Sequence, residues 1–184
     1  MPPTNIRIPK GSRVFTTAVE SPVGPLTIFA VDEGLSGLLF ASTKLADETV
    51  MRRAVHSSDH PVLRKTAYQL KEYFNDGRKT FDVPLSVEGT DFQLAVWREL
   101  MNVRYGTTIS YGGLAARLGN PGKARAVGGA VGRNPVGILV PCHRVIGAGG
   151  GLTGFGGGLE VKAALLDLER RCSEFHGFPE EHSP

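Results

Sequence analysis

The sequence predicts an α+β fold in two parts: a small antiparallel sheet with one helix, followed by a mostly helical second half. Short alternating apolar segments, separated by turn residues, dominate the start of the chain. A helical spacing of apolar residues follows, and the second half carries repeated helix-capping signals. The predicted boundaries are 1–88 for the first domain, 89–172 for the second and 173–184 for a flexible tail.

The first domain should begin with an antiparallel meander. Its three predicted strands are Arg13–Glu20, Leu26–Asp32 and Leu35–Ala41, parted by turn residues. Apolar residues at spacings i, i+4, i+7 and i+11 then predict an amphipathic helix. These residues are Leu63, Ala67, Leu70 and Phe74, and the segment Thr80–Val87 after them is predicted to be extended.

Capping signals define the helices of the second half. Thr90 and Gln93 form a capping box that starts a helix to about Val103, and Ser110 caps a helix from Tyr111 to Leu118. Asn120 and Pro121 start a third helix that ends at Asn134-Pro135. The last two helices, joined at Gly119, predict a helix-turn-helix, although such pairs also occur as plain packing motifs.

The remaining elements surround a cysteine. A short apolar strand, Val136–Val140, leads into Cys142, and the segment Gly147–Gly158 holds eight glycines in twelve residues. Its formal GxGxxG lacks the βαβ context of a nucleotide-binding site, so close approach of a ligand is the better interpretation. The final helix should bury a stripe of Val161, Ala164, Leu165 and Leu168, with Glu169 near its end.

Composition and charge limit the function classes. The 184 residues are 41% hydrophobic and 21% charged, which is typical of a globular protein. No long apolar run or signal peptide is present, so we expect no membrane association and a cytoplasmic or, in a eukaryote, nuclear location. The two cysteines and five histidines lack zinc spacing, so we expect no metal.

Between Glu99 and Glu160 the chain holds no acidic residue. A long segment whose charged side chains are all positive indicates a polyanionic partner; the alternative is a basic face that only contacts solvent. Small residues surround Arg125, which favours close approach of either nucleic acid or another helix. The cations of the segment are Arg104, Arg117, Lys123, Arg125, Arg133 and Arg144.

Cys142 precedes His143 and Arg144, and this combination is typical of an activated nucleophile. A buried structural cysteine is the alternative. Neighbours in a strand point to opposite faces, so His143 would assist Cys142 only through a bend or a bridging water. Cys172 has no adjacent histidine and is interpreted as structural.

Several motifs together resemble the O6-alkylguanine-DNA alkyltransferase family. Order and spacing agree from about Asp91 to Glu169, whereas the first 87 residues match only in layout. The motifs are Pro141-Cys142-His143-Arg144-Val145-Ile146, Ile109-Ser110-Tyr111, Ala124-Arg125-Ala126-Val127-Gly128-Gly129-Ala130, Asn134-Pro135, Gly157-Gly158-Leu159 and Leu165-Leu166.

The resemblance implies an RNase H-like first domain and a winged helix-turn-helix-type second domain. It implies DNA repair by stoichiometric, irreversible transfer of an alkyl group from O6-alkylguanine, and from O4-alkylthymine, to Cys142. The base would first be flipped out, because a thiolate cannot reach the alkyl carbon inside the stack. The implied partner is double-stranded DNA, bound through the minor groove by a monomer without a cofactor.

The resemblance also implies residue roles. Cys142 is the alkyl acceptor, His143 takes its proton through a water, and Glu169 orients His143. Asn134 is a hinge, and Tyr111 rotates the nucleotide and protonates the departing guanine. Arg125 replaces the extruded base; Ser110, Lys123, Ala124, Ala126 and Gly128 contact DNA; Val131, Val145, Phe155 and Gly156 form the base pocket.

Two positions depart from the common family pattern. Phe155 stands where tyrosine is frequent, and Gly137 stands where some members carry proline, which predicts a less constrained pocket edge. Three other functions compete: a damaged-base binder, which would lack Cys142; a transcriptional regulator, which would not need Cys142-His143 before a glycine loop; and a cysteine hydrolase, which would turn over.

Overall fold

The computed structural model describes residues 6–43 and 48–175. The elements of the first half are β1 Phe15–Val19, β2 Leu26–Val31, β3 Gly34–Phe40, α1 Thr49–Arg53 and β4 Val55–His56. Its strands form a four-stranded sheet of order β3-β2-β1-β4, and the predicted antiparallel meander of β1, β2 and β3 is confirmed. The short helix α1 returns the chain so that β4, a strand that was not predicted, pairs parallel with β1.

The predicted amphipathic helix is α2, Pro61–Asn75, which packs across β1, β2 and β3. Its buried face includes Leu63, Leu70 and Phe74, as the apolar spacing predicts, and also Tyr73. The predicted extended segment Thr80–Val87 forms only a single bridge, between Leu85 and Leu35. Pro84 has no N–H to continue such a ladder.

Four helices and a two-stranded parallel pair build the second half. The capping box of Thr90 and Gln93 and the Ser110 cap are both present, so these two helix starts are confirmed. The elements are α3 Asp91–Met101, β5 Ile109–Ser110, α4 Tyr111–Arg117, α5 Ala124–Val131, β6 Val145–Ile146 and α6 Leu159–Phe175, with 3-10 turns at Pro121–Lys123 and Cys142–Arg144.

Three predictions for these helices need correction. Asn120 makes no side-chain cap, so a 3-10 turn precedes α5, and α5 ends at Val131 rather than Asn134. In α6, Ala164 is exposed, whereas Lys162 is buried. The predicted tail from 173 begins inside α6, which continues to Phe175, and residues 176–184 lie outside the described part.

The predicted strand Val136–Val140 is wrong. Only Val136 pairs with the sheet, at Leu38, and residues 137–139 form a tight turn. Ile138 has a φ of 69°, a left-handed conformation that is rare for a β-branched residue. The turn lies inside a core cluster that both halves share, so packing from both sides stabilises this strained backbone.

Candidate active site

Asn134 closes the turn that precedes Cys142. Its Nδ2 donates to the Val140 carbonyl at 2.7 Å, and its Oδ1 accepts the Val136 N–H at 3.1 Å. The Asn134 side chain thus binds the Val136 N–H and the Val140 carbonyl in place of a neighbouring strand, which explains why the backbone turns between these two residues. It also fixes the end of α5 relative to the cysteine segment.

Cys142 begins a 3-10 turn and does not lie in a strand. The expectation that the side chains of Cys142 and His143 point to opposite faces of a strand therefore does not apply. The Cys142 thiol is partly buried, and burial raises the pKa of that thiol. Asn134, the charge of Lys162 and the local backbone amides all favour the thiolate, but they do not outweigh burial. The resting group is therefore a protonated thiol.

The Glu169 carboxylate, fully buried in α6, is the centre of the polar network next to Cys142. Oε1 accepts from His143 Nε2 at 2.8 Å, and Oε2 accepts from Arg144 Nε at 2.9 Å. Its remaining donors are Arg144 Nη2 and the Tyr73 hydroxyl, both 2.9 Å from Oε1, and the Gly106 N–H, 3.0 Å from Oε2.

The charges of this network follow from burial and hydrogen bonding. Burial opposes ionisation of Glu169, but donors from His143 and Arg144 prevail and hold the pKa of its carboxyl at about 2. Burial lowers the pKa of His143, and Glu169 only partly offsets this. At neutral pH an imidazole therefore donates through Nε2 to a carboxylate.

The other imidazole nitrogen, Nδ1 of His143, is the one that can accept a proton. It is buried and has no hydrogen-bond partner among the described residues. A buried polar atom in this state costs free energy unless a water or a reaction uses it.

Gly106 shapes the same network from the loop before β5. Its φ of 72° is a left-handed conformation, and a Cβ there would collide with Ser173 on α6. Only glycine allows the loop to bring its N–H to Glu169.

Lys162 is a site residue that the sequence reasoning missed. Its buried Nζ donates to the Val145 carbonyl at 2.5 Å and to the Thr153 carbonyl at 2.7 Å. It therefore ties the glycine-rich loop to the segment after Cys142. The buried positions of α6, Lys162, Leu165 and Glu169, are spaced i, i+3 and i+7, and this polar-apolar-polar stripe was the available signal.

A small cavity of about 20 Å³, room for one water-sized group, adjoins Cys142. Three of the four predicted pocket residues line it: Val131, Phe155 and Gly156. Val145 instead lies in the core. Leu38, Phe40 and Thr43 from the first half also line the cavity, and the sequence did not indicate them.

The predicted open edge at Gly137 is wrong, because Phe40 fills it. A Cβ on Gly137 would lie 3.0 Å from Phe40 Cε2, and one on Gly157 would lie 2.7 Å from Phe40 Cγ. The Phe40 ring also packs against Phe155 at 5.1 Å between centroids. Side chains of β3 therefore close this side of the cavity.

A second surface lies on α5. Lys123, Arg125 and Ala126 are exposed on an open groove between the start of α3 and α5, whereas Ala124 and Gly128 are partly buried. The Trp97 indole donates to the Ala130 carbonyl at 2.9 Å and anchors α5 to α3. One short helix thus connects a basic groove to Val131 in the cavity wall.

The two predicted residues at the start of α4 have different surroundings. The Ser110 hydroxyl accepts the Gly113 N–H at 2.9 Å and so serves as a helix cap. The Tyr111 ring is partly exposed beside Gly128, where an added Cβ would lie 3.6 Å from it. Tyr111 therefore lies against α5.

Among the residues that the structure describes, no group of three or more His, Cys, Asp or Glu side chains could hold a metal ion. None of the helices in that part of the chain is both long and apolar enough to cross a membrane.

Two family models cover most of the chain. Residues 91–171 match the DNA binding domain of 6-O-methylguanine DNA methyltransferase, and residues 14–87 match its ribonuclease-like domain. The methylated-DNA–protein-cysteine methyltransferase of Mycobacterium tuberculosis is 45% identical over 153 residues, covering 83% of this chain and 90% of the relative. The protein of that name from Methanosarcina acetivorans is 46% identical over 153 residues, covering 83% and 96%.

Solved structures agree with the fold. The crystal structure of M. tuberculosis O6-methylguanine methyltransferase has a TM-score of 0.78 at 44% identity, covering 86% of this chain and 93% of that one. The M. tuberculosis OGT in complex with DNA has a TM-score of 0.79 at 43% identity, covering 86% and 94%. The predicted α+β fold class is confirmed.

Proposed function

The chain belongs to the 6-O-methylguanine DNA methyltransferase family, and we propose that Cys142 is its alkyl acceptor. As a member, the protein binds DNA and repairs it by direct transfer of a methyl group to a cysteine of its own. The observation that carries the assignment is the contact of 2.8 Å between Glu169 and His143, the residue next to Cys142.

The proposed reaction begins with proton removal from the thiol. His143 Nδ1 accepts the Cys142 proton through a water, and Glu169 stabilises the imidazolium that forms. The thiolate attacks the alkyl carbon of the flipped base, so that a C–S bond forms while the C–O bond of the O6-alkylguanine breaks. The electron pair stays on guanine O6, and the Tyr111 hydroxyl donates the proton that neutralises the departing base.

The product is a thioether, which needs a strong nucleophile to cleave. Each protein molecule therefore acts once, and the amount of product equals the amount of protein. We extend the substrates to O4-alkylthymine, whose alkyl oxygen is attached to the base ring in the same way.

For the DNA complex we propose binding through the minor groove by a monomer. Arg125 projects from the exposed face of α5 and takes the place of the extruded base, as inserted side chains do in other kinked duplexes. Tyr111, beside α5, turns the nucleotide. Ser110, Lys123, Ala124, Ala126 and Gly128 form the surrounding contact surface. The small residues among them, Ser110, Ala124, Ala126 and Gly128, let the backbone approach closely.

We place the base pocket at the cavity beside Cys142. Val131 and Phe155 form its walls, and the Gly156 amide and the backbone at Val145 contact the guanine edge. Asn134 holds α5 and the cysteine segment in a fixed relation.

We also propose the domain division at 88/89 and a reaction without cofactor. The protein would act where the DNA lies, in the cytoplasm at a bacterial nucleoid or in a nucleus.

The acceptor assignment is tested by replacing each cysteine. Cys142→Ala should bind a duplex carrying O6-methylguanine with unchanged affinity but restore no guanine, because no thiolate is present. Cys172→Ala is the matched control and should repair at the wild-type rate. Repair by Cys142→Ala, or its loss in Cys172→Ala alone, would contradict the assignment; digestion of the duplex to nucleosides measures it.

A further inference from the structure

The first half of the chain supplies a hydrogen-bond donor to the site. The Tyr73 hydroxyl, on α2, donates to Glu169 Oε1 at 2.9 Å across 96 residues of sequence. Tyr73 is 1% exposed, and Oε1 is the oxygen that His143 Nε2 also contacts. The two donors therefore act on one atom.

Aromatic neighbours hold the Tyr73 ring in one orientation. Phe74 and Tyr105 pack edge-on against it, with centroids 5.1 Å and 6.1 Å away, and Phe81 lies 5.7 Å away. Burial, followed by the charge of Glu169, raises the pKa of Tyr73 well above its ordinary value. The phenol is consequently a fixed and always protonated donor.

We propose that Tyr73 is a positioning residue for alkyl transfer: its hydroxyl holds the Glu169 carboxylate in the rotation that orients His143. This inference rests on the proposed function. It gives the first half of the chain a part in the reaction, because the proposed path from Cys142 through a water to His143 and Glu169 ends on α2.

The other donors cannot replace Tyr73. Arg144 contacts both carboxylate oxygens, but its Nη1 donates to the Val103 carbonyl at 2.6 Å, which holds the guanidinium in place. Gly106 contacts only Oε2. Tyr73 thus supplies a donor from the first half of the chain to the oxygen that faces the imidazole.

Tyr73 also affects protonation of the imidazole. Its hydroxyl dipole points its positive end at Oε1, which weakens the attraction between Glu169 and an imidazolium. Removing the hydroxyl should therefore raise the pKa of His143. Other charged and titratable groups face the pair formed by His143 and Glu169. They are Arg144, Lys162 of α6, Tyr105 of the loop before β5, and Cys142.

The test is Tyr73→Phe in the full chain, with single-turnover transfer from an O6-methylguanine duplex measured against pH. The rate constant on the plateau should fall about tenfold, the effect of one hydrogen bond to a charged group. The acid limb of the profile should move about half a pH unit to one unit higher, because more His143 is protonated at a given pH.

Tyr68→Phe is the matched control. It removes the same atom from the same helix, but Tyr68 is 63% exposed. Its profile should coincide with that of the wild type. A second readout is independent of activity: the pKa of His143, followed by nitrogen NMR, should rise in Tyr73→Phe and not in Tyr68→Phe.

A slower Tyr73→Phe with an unmoved acid limb and an unchanged His143 pKa would reduce Tyr73 to a packing residue and overturn the proposal. Wild-type rates in Tyr73→Phe would also overturn it. An inactive wild type would instead refute the proposed function, while the NMR comparison would still report whether Tyr73 acts on His143.

Discussion

Cys142, the proposed alkyl acceptor, does not have an acidic thiol. Burial raises the pKa of Cys142 and lowers that of His143, so both groups are neutral at rest. In the proposed reaction, the charge needed for attack therefore arises when the proton moves to an imidazole that already contacts the anionic Glu169.

Some of these residues could be predicted from sequence and others could not. Cys142, His143 and Glu169 were predicted because they match a motif with fixed spacing. Tyr73 was missed, because its hydrogen bond joins residues that are far apart in sequence. Lys162 was missed although its helical spacing to Leu165 and Glu169 was visible, because the carbonyls that it binds are identified only in three dimensions. No local pattern distinguishes Tyr73 from an ordinary core tyrosine.

Phe40 should set the size of the alkyl group that the cavity accepts. Its ring closes the edge at Gly137, so Phe40→Ala should open space for a benzyl group. We expect the rate of benzyl transfer relative to methyl transfer to increase about tenfold, as for other pocket enlargements. Single-turnover rates with duplexes carrying O6-benzylguanine and O6-methylguanine measure this ratio.

Leu39→Ala controls for the loss of a buried side chain from the same strand. Leu39 belongs to a separate core cluster on the other face of the sheet. The Leu39→Ala variant should have a lower melting temperature than the wild type and an unchanged ratio of benzyl to methyl transfer rates. An equal ratio in wild type and Phe40→Ala would show that another wall limits the alkyl group.

At the scale of elements, α5 joins the basic groove to the cavity beside Cys142. Its exposed start carries Arg125, and its end reaches the cavity at Val131. The Trp97 hydrogen bond to Ala130 and the Asn134 turn both fix the end of the helix that lies next to the cavity.

Arg125→Ala should slow repair of duplex DNA much more than transfer from the free base O6-benzylguanine. The free base needs no extrusion, so it does not need a side chain that fills the vacated stack. We expect about a tenfold or larger loss on the duplex, because part of the unstacking cost of a few kcal/mol is no longer offset. Single-turnover rates on both substrates measure the difference.

Arg125→Lys keeps the charge and separates insertion from simple attraction to phosphate. If attraction were the whole role, this variant would repair duplex DNA at the wild-type rate. Equal slowing of Arg125→Ala on duplex and free base would contradict the insertion role.

The helices were easier to predict than the turns. Caps at Thr90 and Ser110 are local signals, and both helices start where these signals place them. The segment Val136–Val140 has the composition of a strand, but Asn134 satisfies its backbone groups from the side and bends it into a turn. A side chain that competes with a ladder is not visible in an apolar pattern.

At the scale of the molecule, the two halves of the chain form one site. Phe40 of β3 closes the cavity, and Tyr73 of α2 completes the hydrogen bonds of Glu169. Ser42 donates to the Gly157 carbonyl at 2.9 Å and holds the glycine-rich loop against the sheet. The fold class was predictable from the order of elements, but this shared site was not, because each contact joins segments far apart in sequence.

The most direct test of the central claim is the intact mass of the protein after reaction with excess duplex carrying O6-methylguanine, followed by peptide mapping. The account predicts that each chain gains one methyl group, that the group lies on Cys142, and that the guanine restored equals the protein in moles. Methylation at another residue, an unmodified chain, or more moles of guanine than of protein would contradict it.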